Sequence, residues 1–317
     1  MGAWYPSATT VRGIRGDLEH RLNEIPQIWP NHVTRVGSTT KVEPFAWSGA
    51  VPKPRLMADG RKLQGLGQFS FNIENLEYEL SVLIDKVTFE DQQTSDVQRK
   101  IVELSLAWGP FKDEILAEML EAGAGTTKGS AYDGAAFFGD SRTEGDSGTI
   151  DNNTTSVAAG DDAVPTSAEF LAAMNAIINQ MALFGDDKGR KGTNRQAMSQ
   201  LRVMAEKIMT RPILEALQST LIANTDNVFG RGLAIPDFSE YMTPDQLSTP
   251  TTTMYVHAVG DATFRGIIYQ ERGPLEMEIF DDPHWMTFNN GLLITLRQRF
   301  AFAYGNFRRM VKHVFTT

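Results

Sequence analysis

Apolar and polar positions alternate over residues 69–84: Phe69, Phe71 and Ile73, then Leu76, Tyr78, Leu80, Val82 and Ile84. Period two is the mark of a strand with one buried face. With Phe45, Trp47 and Val51 leading outward, the pattern predicts an extended hairpin over residues 45–84. Its tip carries Asp59, Gly60, Arg61, Lys62, Gly65 and Gly67. A lone two-stranded ribbon is marginal in water and leaves edges unpaired. This ribbon must therefore lie on its own domain or be covered by a neighbouring chain.

The pattern then changes to a helical period. Val97, Ile101, Leu104 and Trp108 form one stripe, flanked by Val102, and Phe111, Ile115, Leu116, Met119 and Leu120 continue it to residue 122. Ser95 with Gln98 reads as a capping box, and Gly109-Pro110 should kink or divide the helix because Pro110 lacks an N–H. Gly123 is placed as the residue after the helix end. Residues 123–165 turn polar and small, with an apolar island at Tyr132, Phe137 and Phe138, and read as a long surface excursion. A second helix over residues 166–184 opens with the capping pair Thr166 and Glu169 and buries Phe170, Leu171, Met174, Ile177, Ile178 and Met181. After a basic loop at 185–196 come a short strand at 201–205 and a helix at 210–221 with Pro212 in its first turn. Strands are expected at 253–258, 263–269, 275–280 and 291–304. Residues 1–44, broken by Pro6, Gly13, Gly16, Pro26, Pro30, Gly37 and Pro44, read as an arm in which only 17–25 forms a short helix. There is no repeat and no regular βαβ alternation, so the fold class is α+β.

Composition narrows the function. The chain has 317 residues and a formal net charge of −9, which argues against a sequence-independent nucleic-acid coat. It has no cysteine, which removes disulfides, thiolate metal sites and thiol nucleophiles together. The start lacks a basic region followed by an apolar one, Pro6 breaks the myristoylation pattern, and no apolar run reaches membrane length, so the protein is expected to be soluble when made.

Catalytic patterns are weak. Gly145-Asp146-Ser147-Gly148 matches the nucleophile element of trypsin-like proteases, but its preceding histidines, His20 and His32, lie in the Pro-rich arm, so a polar surface turn is expected. Residues 185–193 have the wrong order for a phosphate-binding loop. The five histidines are scattered, and Asp161-Asp162 and Asp281-Asp282 lack the spacing of a calcium loop, reading instead as turn and cap residues. No catalytic, cofactor-binding or metal residue is assigned. The expectation is a protein that works through contacts.

Two stretches resemble known families. Residues 41–142 resemble the Mu-like phage major head subunit family through Gly60-Arg61-Lys62, Phe71-Asn72-Ile73-Glu74-Asn75-Leu76-Glu77-Tyr78-Glu79, residues 85–91 and Ala131-Tyr132-Asp133-Gly134-Ala135-Ala136-Phe137-Phe138. The chain departs from that family after Phe138, where Gly139-Asp140-Ser141-Arg142 follows. Residues 288–315, with Phe288-Asn289-Asn290-Gly291, Phe300-Ala301-Phe302-Ala303-Tyr304, Phe307 and Val311-Lys312, are similar to the end of Hong Kong 97-type major capsid proteins. The resemblance implies the Hong Kong 97-type fold, with an arm (1–44), an E-loop hairpin (45–82), a P-domain with a spine helix (83–123), an A-domain (124–281), a P-domain return strand (282–305) and a terminal segment returning to the A-domain (306–317). It implies a major capsid protein that self-assembles from hexamers and pentamers into an icosahedral shell around double-stranded DNA. The partners implied are a portal protein, a separate scaffold and decoration proteins; the location is the virion, with assembly in host cytoplasm. An encapsulin-like shell around a cargo enzyme is the alternative, and a hydrolase using Ser147 a third reading. The prototype's Lys–Asn crosslink would pair Lys53 or Lys62 with Asn289 or Asn290, although ordinary charged and turn residues are the simpler reading.

Overall fold

A computed structural model describes residues 8–50, 68–90, 94–158, 163–192, 194–218, 221–222, 225–226, 237–242, 252–261, 265–280 and 282–317. In chain order the elements are α1 (Ala8–Glu24), β1 (Val33–Gly37), β2 (Val42–Ser48), β3 (Gln68–Glu74), β4 (Leu76–Asp85), α2 (Lys86–Glu90), α3 (Thr94–Trp108) and α4 (Phe111–Ala122). Then come β5 (Asn153–Val157), α5 (Ser167–Leu183), β6 (Leu201–Glu206), α6 (Thr210–Gln218), β7 (Leu221–Ile222), β8 (Thr225–Asp226) and β9 (Asp237–Met242). The last are β10 (Thr253–Ala258), β11 (Ile267–Glu271), β12 (Glu276–Phe280), α7 (Pro283–Asn289), β13 (Gly291–Tyr304) and β14 (Met310–Thr316). No described helix is long and apolar enough to cross a membrane.

Two five-stranded sheets organise these elements. The first runs β1-β11-β13-β12, with β4 also paired to β13. The second runs β5-β14-β10-β6-β9. One face of the first sheet, with Ile84, Leu292, Ile294 and Leu296, buries against Val97, Ile101, Leu104 and Trp108 of α3. Each such fully buried side chain contributes about 1.5–3 kcal/mol. The larger core joins α4, α5 and the second sheet around Phe137, Phe138, Phe170, Met174 and Val256. The helix pair divides at Gly109-Pro110, as the missing proline donor requires. Thr166 caps α5 in a full capping box with Glu169.

Several expectations are corrected. The arm is not without a seat on its own body: α1 spans Ala8–Glu24, and its Ile14 and Leu18 are buried in the α3 cluster. Gly13 and Gly16 hid this helix, because each costs about 1 kcal/mol of propensity; both stand where an added Cβ would meet nothing. The ribbon is shorter than residues 45–84 suggest. Its strands β2 and β3 pair from Val42 with Glu74 to Ser48 with Gln68, and β4 leaves it to pair with β13. Asn75 is the pivot: it donates to Ser38 Oγ (2.7 Å) and the Thr40 carbonyl (2.9 Å), and accepts from Gln270 (2.9 Å). Ser95 lies inside α3, which already includes Thr94. Gly123 is right-handed (φ −66°); its missing Cβ is needed because one would stand 2.7 Å from the Phe138 ring. The stretch 123–165 is no surface excursion, since Tyr132, Phe137 and Phe138 are buried and it contributes β5.

Candidate functional site: the seat of the ribbon

The Tyr-Asp-Gly element builds a turn that drives its aromatic inward. Gly134 adopts φ +81°, which glycine alone takes without strain. The Gly134 amide donates to the Ala131 carbonyl (2.9 Å), and the Ala135 amide to Asp133 Oδ1 (3.2 Å). Tyr132 then donates its phenol proton to Glu144 Oε2 (2.6 Å) and accepts from Arg308 Nη1 (2.8 Å). Arg308 also donates to Glu144 (2.6 Å) and to the Gly185 carbonyl (2.9 Å). Burial pushes the phenol far up its scale, and Arg308 stays above its ordinary range despite burial because Tyr132 and Glu144 hold its charge. Arg142 lies 4.0 Å over the Phe307 ring and pairs with Asp133 (3.2 Å); burial lowers its pKa.

The ribbon rests on this platform. Trp47 stacks on Tyr132 at 4.5 Å between centroids and 12° between planes, with Phe69 at 5.6 Å and Phe307 stacked at 5.4 Å. Trp47 and Phe69 face each other across the ribbon. The Ala50 amide donates to Asp187 Oδ1 (2.8 Å). Burial works against the neighbouring Asp186 carboxylate, but hydrogen bonds from Arg190 and Lys188 hold its pKa below the usual range. The loop read as a solvated turn is thus the ledge on which the chain rests just beyond the outer end of β2.

Beside the ribbon, the first sheet presents its other face to solvent. Across β4, β13 and β12 the rungs are Leu83–Leu293–Phe280, Ser81–Thr295–Glu278 and Glu79–Arg297–Glu276. Leu83 and Phe280 are exposed, as is Phe288 on α7. On the second sheet, a groove of about 750 Å³ runs between β5 and α5, lined by Asp140, Asp151, Thr155, Glu169, Gln180 and His313.

The catalytic candidates do not converge. Ser147 is buried, not on the surface; its hydroxyl donates to the Gly148 carbonyl (2.8 Å) and accepts from the Glu144 amide (2.9 Å), closing a turn. The histidines lie elsewhere: His20 beside Glu24, His32 against His257, His313 between Thr154 and Ser156, and His284 in the first turn of α7. Asp282 caps α7 through the amides of His284 and Trp285. Among the described residues no group of three or more acidic or histidine side chains is placed to hold a metal. Asn290 is the left-handed cap of α7 (φ 53°) and Asn289 bonds back to the Trp285 carbonyl. Lys53, Lys62, Asp161, Asp162 and Asp281 lie outside the described residues. Sequence reasoning missed the docking role of Tyr132 and the buried His32–His257 pair. The motif at Tyr132 was a signal for the first; scattered histidines gave none for the second.

The fold recurs in phage shells. The chain aligns with the capsid of cyanophage P-SCSP1u at a TM-score of 0.57 and 11% identity, covering 92% of this chain and 88% of that one. It aligns with the mature capsid of bacteriophage PhiM1 at 0.56 and 10% identity, covering 92% and 88%. With the procapsid of bacteriophage JBD30 the score is 0.52 at 14% identity, covering 98% and 77%. These likenesses show the α+β fold of Hong Kong 97-type capsid proteins. In sequence, the Mu-like prophage FluMu major head subunit of Haemophilus influenzae is 29% identical over 126 residues, 40% of this chain and 40% of that protein's length. The family model for the Mu-like prophage major head subunit gpT matches residues 8–183, more than half of the chain and including the whole Tyr132–Phe138 element. The chain therefore belongs to the Mu-like prophage major head subunit gpT family.

Proposed function

We propose that this chain is the major head subunit of a tailed phage, self-assembling through hexamers and pentamers into an icosahedral shell around double-stranded DNA. The observation that supports it best is the sheet face beside the ribbon, which carries the apolar rung Leu83–Leu293–Phe280 with its ends, Leu83 and Phe280, exposed. A partly apolar face gains by being covered. A sister copy covers it, in our reading. Residues 51–67, outside the described residues, carry Lys53, Arg55, Arg61 and Lys62 against Asp59, while the open face carries Glu77, Glu79, Glu276 and Glu278 against Arg297 and Arg299. The charges are complementary, and many modest contacts become cooperative once a shell closes.

The residue assignment keeps arm 1–44, P-domain with spine helix 83–123, A-domain 124–281, P-domain return strand 282–305 and terminal segment 306–317, while the E-loop hairpin, 45–82 by sequence, narrows to the paired strands β2 and β3 because β4 joins β13. Portal, scaffold and decoration proteins are the expected partners, and the virion the final location, reached from host cytoplasm. We assign no catalytic role to any residue. Family membership does not favour the cargo-shell alternative. The test is to purify the expressed chain and examine it by electron microscopy and sedimentation. Closed shells are expected, and DNA-filled particles from infected cells exclude a cargo compartment. A chain that stays a compact monomer at high concentration refutes the proposal.

A further inference from the structure

His32 immediately precedes β1 of the first sheet, and His257 lies in β10 of the second. Both are fully buried, and their Nδ1 atoms approach to 3.4 Å with the rings stacked at 21°. The Gly266 amide donates to His257 Nε2 (3.1 Å). That bond fixes the proton order. Nε2 of His257 accepts, so the neutral ring carries its proton on Nδ1 and donates it to Nδ1 of His32.

The arrangement has no place for another proton. A proton on His257 Nε2 displaces the Gly266 bond. A proton on His32 Nδ1 sets two N–H groups against each other. The charged groups facing His257 are Arg202 on β6, Arg265 beside Gly266, and Arg309 before β14, with His32 opposite. Asp261 is paired with Arg309 (2.7 Å). The surroundings repel positive charge. The nitrogen spacing also suits two imidazoles on a tetrahedral metal ion, but three guanidiniums oppose a cation there.

Beside the pair the starts of β1 and β11 are tied together within the first sheet, and the contact with the second sheet runs through the Gly266–His257 bond. Arg265 donates to the carbonyls of Asn31 (2.8 Å) and Val33 (3.2 Å), and its amide to Thr34 Oγ1 (2.9 Å). Gly266 permits the approach, since a Cβ there would lie 3.2 Å from Met310 Cβ. We propose that the His32–His257 pair is an acid-sensitive latch between the two sheets, closed when both rings are neutral and opened when either takes up a proton. The latch is a property of the single chain; its use, a change of subunit shape within a shell, rests on the function proposed above.

The test is hydrogen–deuterium exchange on the full-length, unassembled chain, corrected for the intrinsic pH dependence of exchange. Between about pH 7.5 and about pH 5, protection in peptides covering residues 29–37 and 253–261 should fall about tenfold or more, while α5 stays protected. His257→Gln, which keeps an acceptor for Gly266 and does not titrate, should diminish that acid response to the share His32 carries. If that chain fails to fold, His32→Gln, which leaves the Gly266 bond intact, makes the same comparison. Unchanged protection in the wild type, or an undiminished acid response in the variant, overturns the latch. So does protection of the same peptides by added zinc chloride at neutral pH, which reassigns the pair as a metal site. Exchange is read before assembly, so a failure to form shells leaves the latch standing and removes only the shell proposal.

Discussion

Replacing Tyr132 with phenylalanine removes one oxygen from the ribbon's platform and leaves the ring that Trp47 and Phe307 stack on. That oxygen donates to Glu144 (2.6 Å) and accepts from Arg308 (2.8 Å). Hydrogen bonds to charged groups contribute about 1.5–3 kcal/mol each. The loss is smaller than two such bonds, because Arg308 keeps Glu144 (2.6 Å) and the Gly185 carbonyl (2.9 Å). We expect a net cost of about 1.5–3 kcal/mol. For a chain of 317 residues the unfolding entropy is about 0.67 kcal/mol per kelvin, so Tm falls by about 2–5 °C. Thermal unfolding of the unassembled chain at fixed concentration measures this. Tyr132→Ala should cost about 3–5 kcal/mol or more, since it also removes the plate and leaves a cavity. Ribbon protection in hydrogen exchange should survive Tyr132→Phe and be lost in Tyr132→Ala. Equal stability of Tyr132→Phe and wild type would show that the oxygen does not tie Arg308 and Glu144 together, and equal damage from both variants would show that the ring is no plate for the ribbon.

Asp113, fully buried on α4, accepts from the amides of Ile28 (3.0 Å) and Trp29 (2.7 Å) where the arm leaves the body; Asp113→Ala should cost about 2–4 kcal/mol and red-shift Trp29 fluorescence, with Asp113→Asn much milder. Burial lowers the His313 pKa to about 4. The native state therefore holds the ring neutral while the unfolded chain protonates below about pH 6.5. Stability is complete above that pH and falls by roughly 2 kcal/mol towards pH 4; His313→Gln should flatten that part of a pH series of urea midpoints, and an unchanged slope rejects the assignment. Lys112 sits 5.0–5.1 Å over the rings of Trp29, Tyr269 and Phe300, and burial lowers its pKa to about 8. Competitive labelling with an amine reagent should place its half-reactivity about two pH units below that of exposed lysines; coincidence with them refutes the caged environment.

Local periodicity determined much of the fold. The period-two run produced β4, the stripe from Val97 to Trp108 produced α3, and Thr166 with Glu169 produced a helix start that the structure reproduces. These signals were legible because neighbours in sequence supply both the pattern and the partner. The Tyr132–Phe138 element was legible as a family mark, yet its burial was not, because small polar residues surround it and its packing partners include Phe307 and Tyr304 far along the chain.

Tertiary structure alone decided which surface each apolar stripe met. Ile14 and Leu18 had helical spacing, but only their burial in the cluster shared with α3 makes the arm helix worth forming despite its glycines. The break at Asn75, which separates ribbon from sheet, depends on Ser38, Thr40 and Gln270. The facing of His32 and His257, 225 positions apart, depends on two sheets meeting. A chain encodes local geometry residue by residue, but it encodes such meetings only through the total free energy of the packed whole.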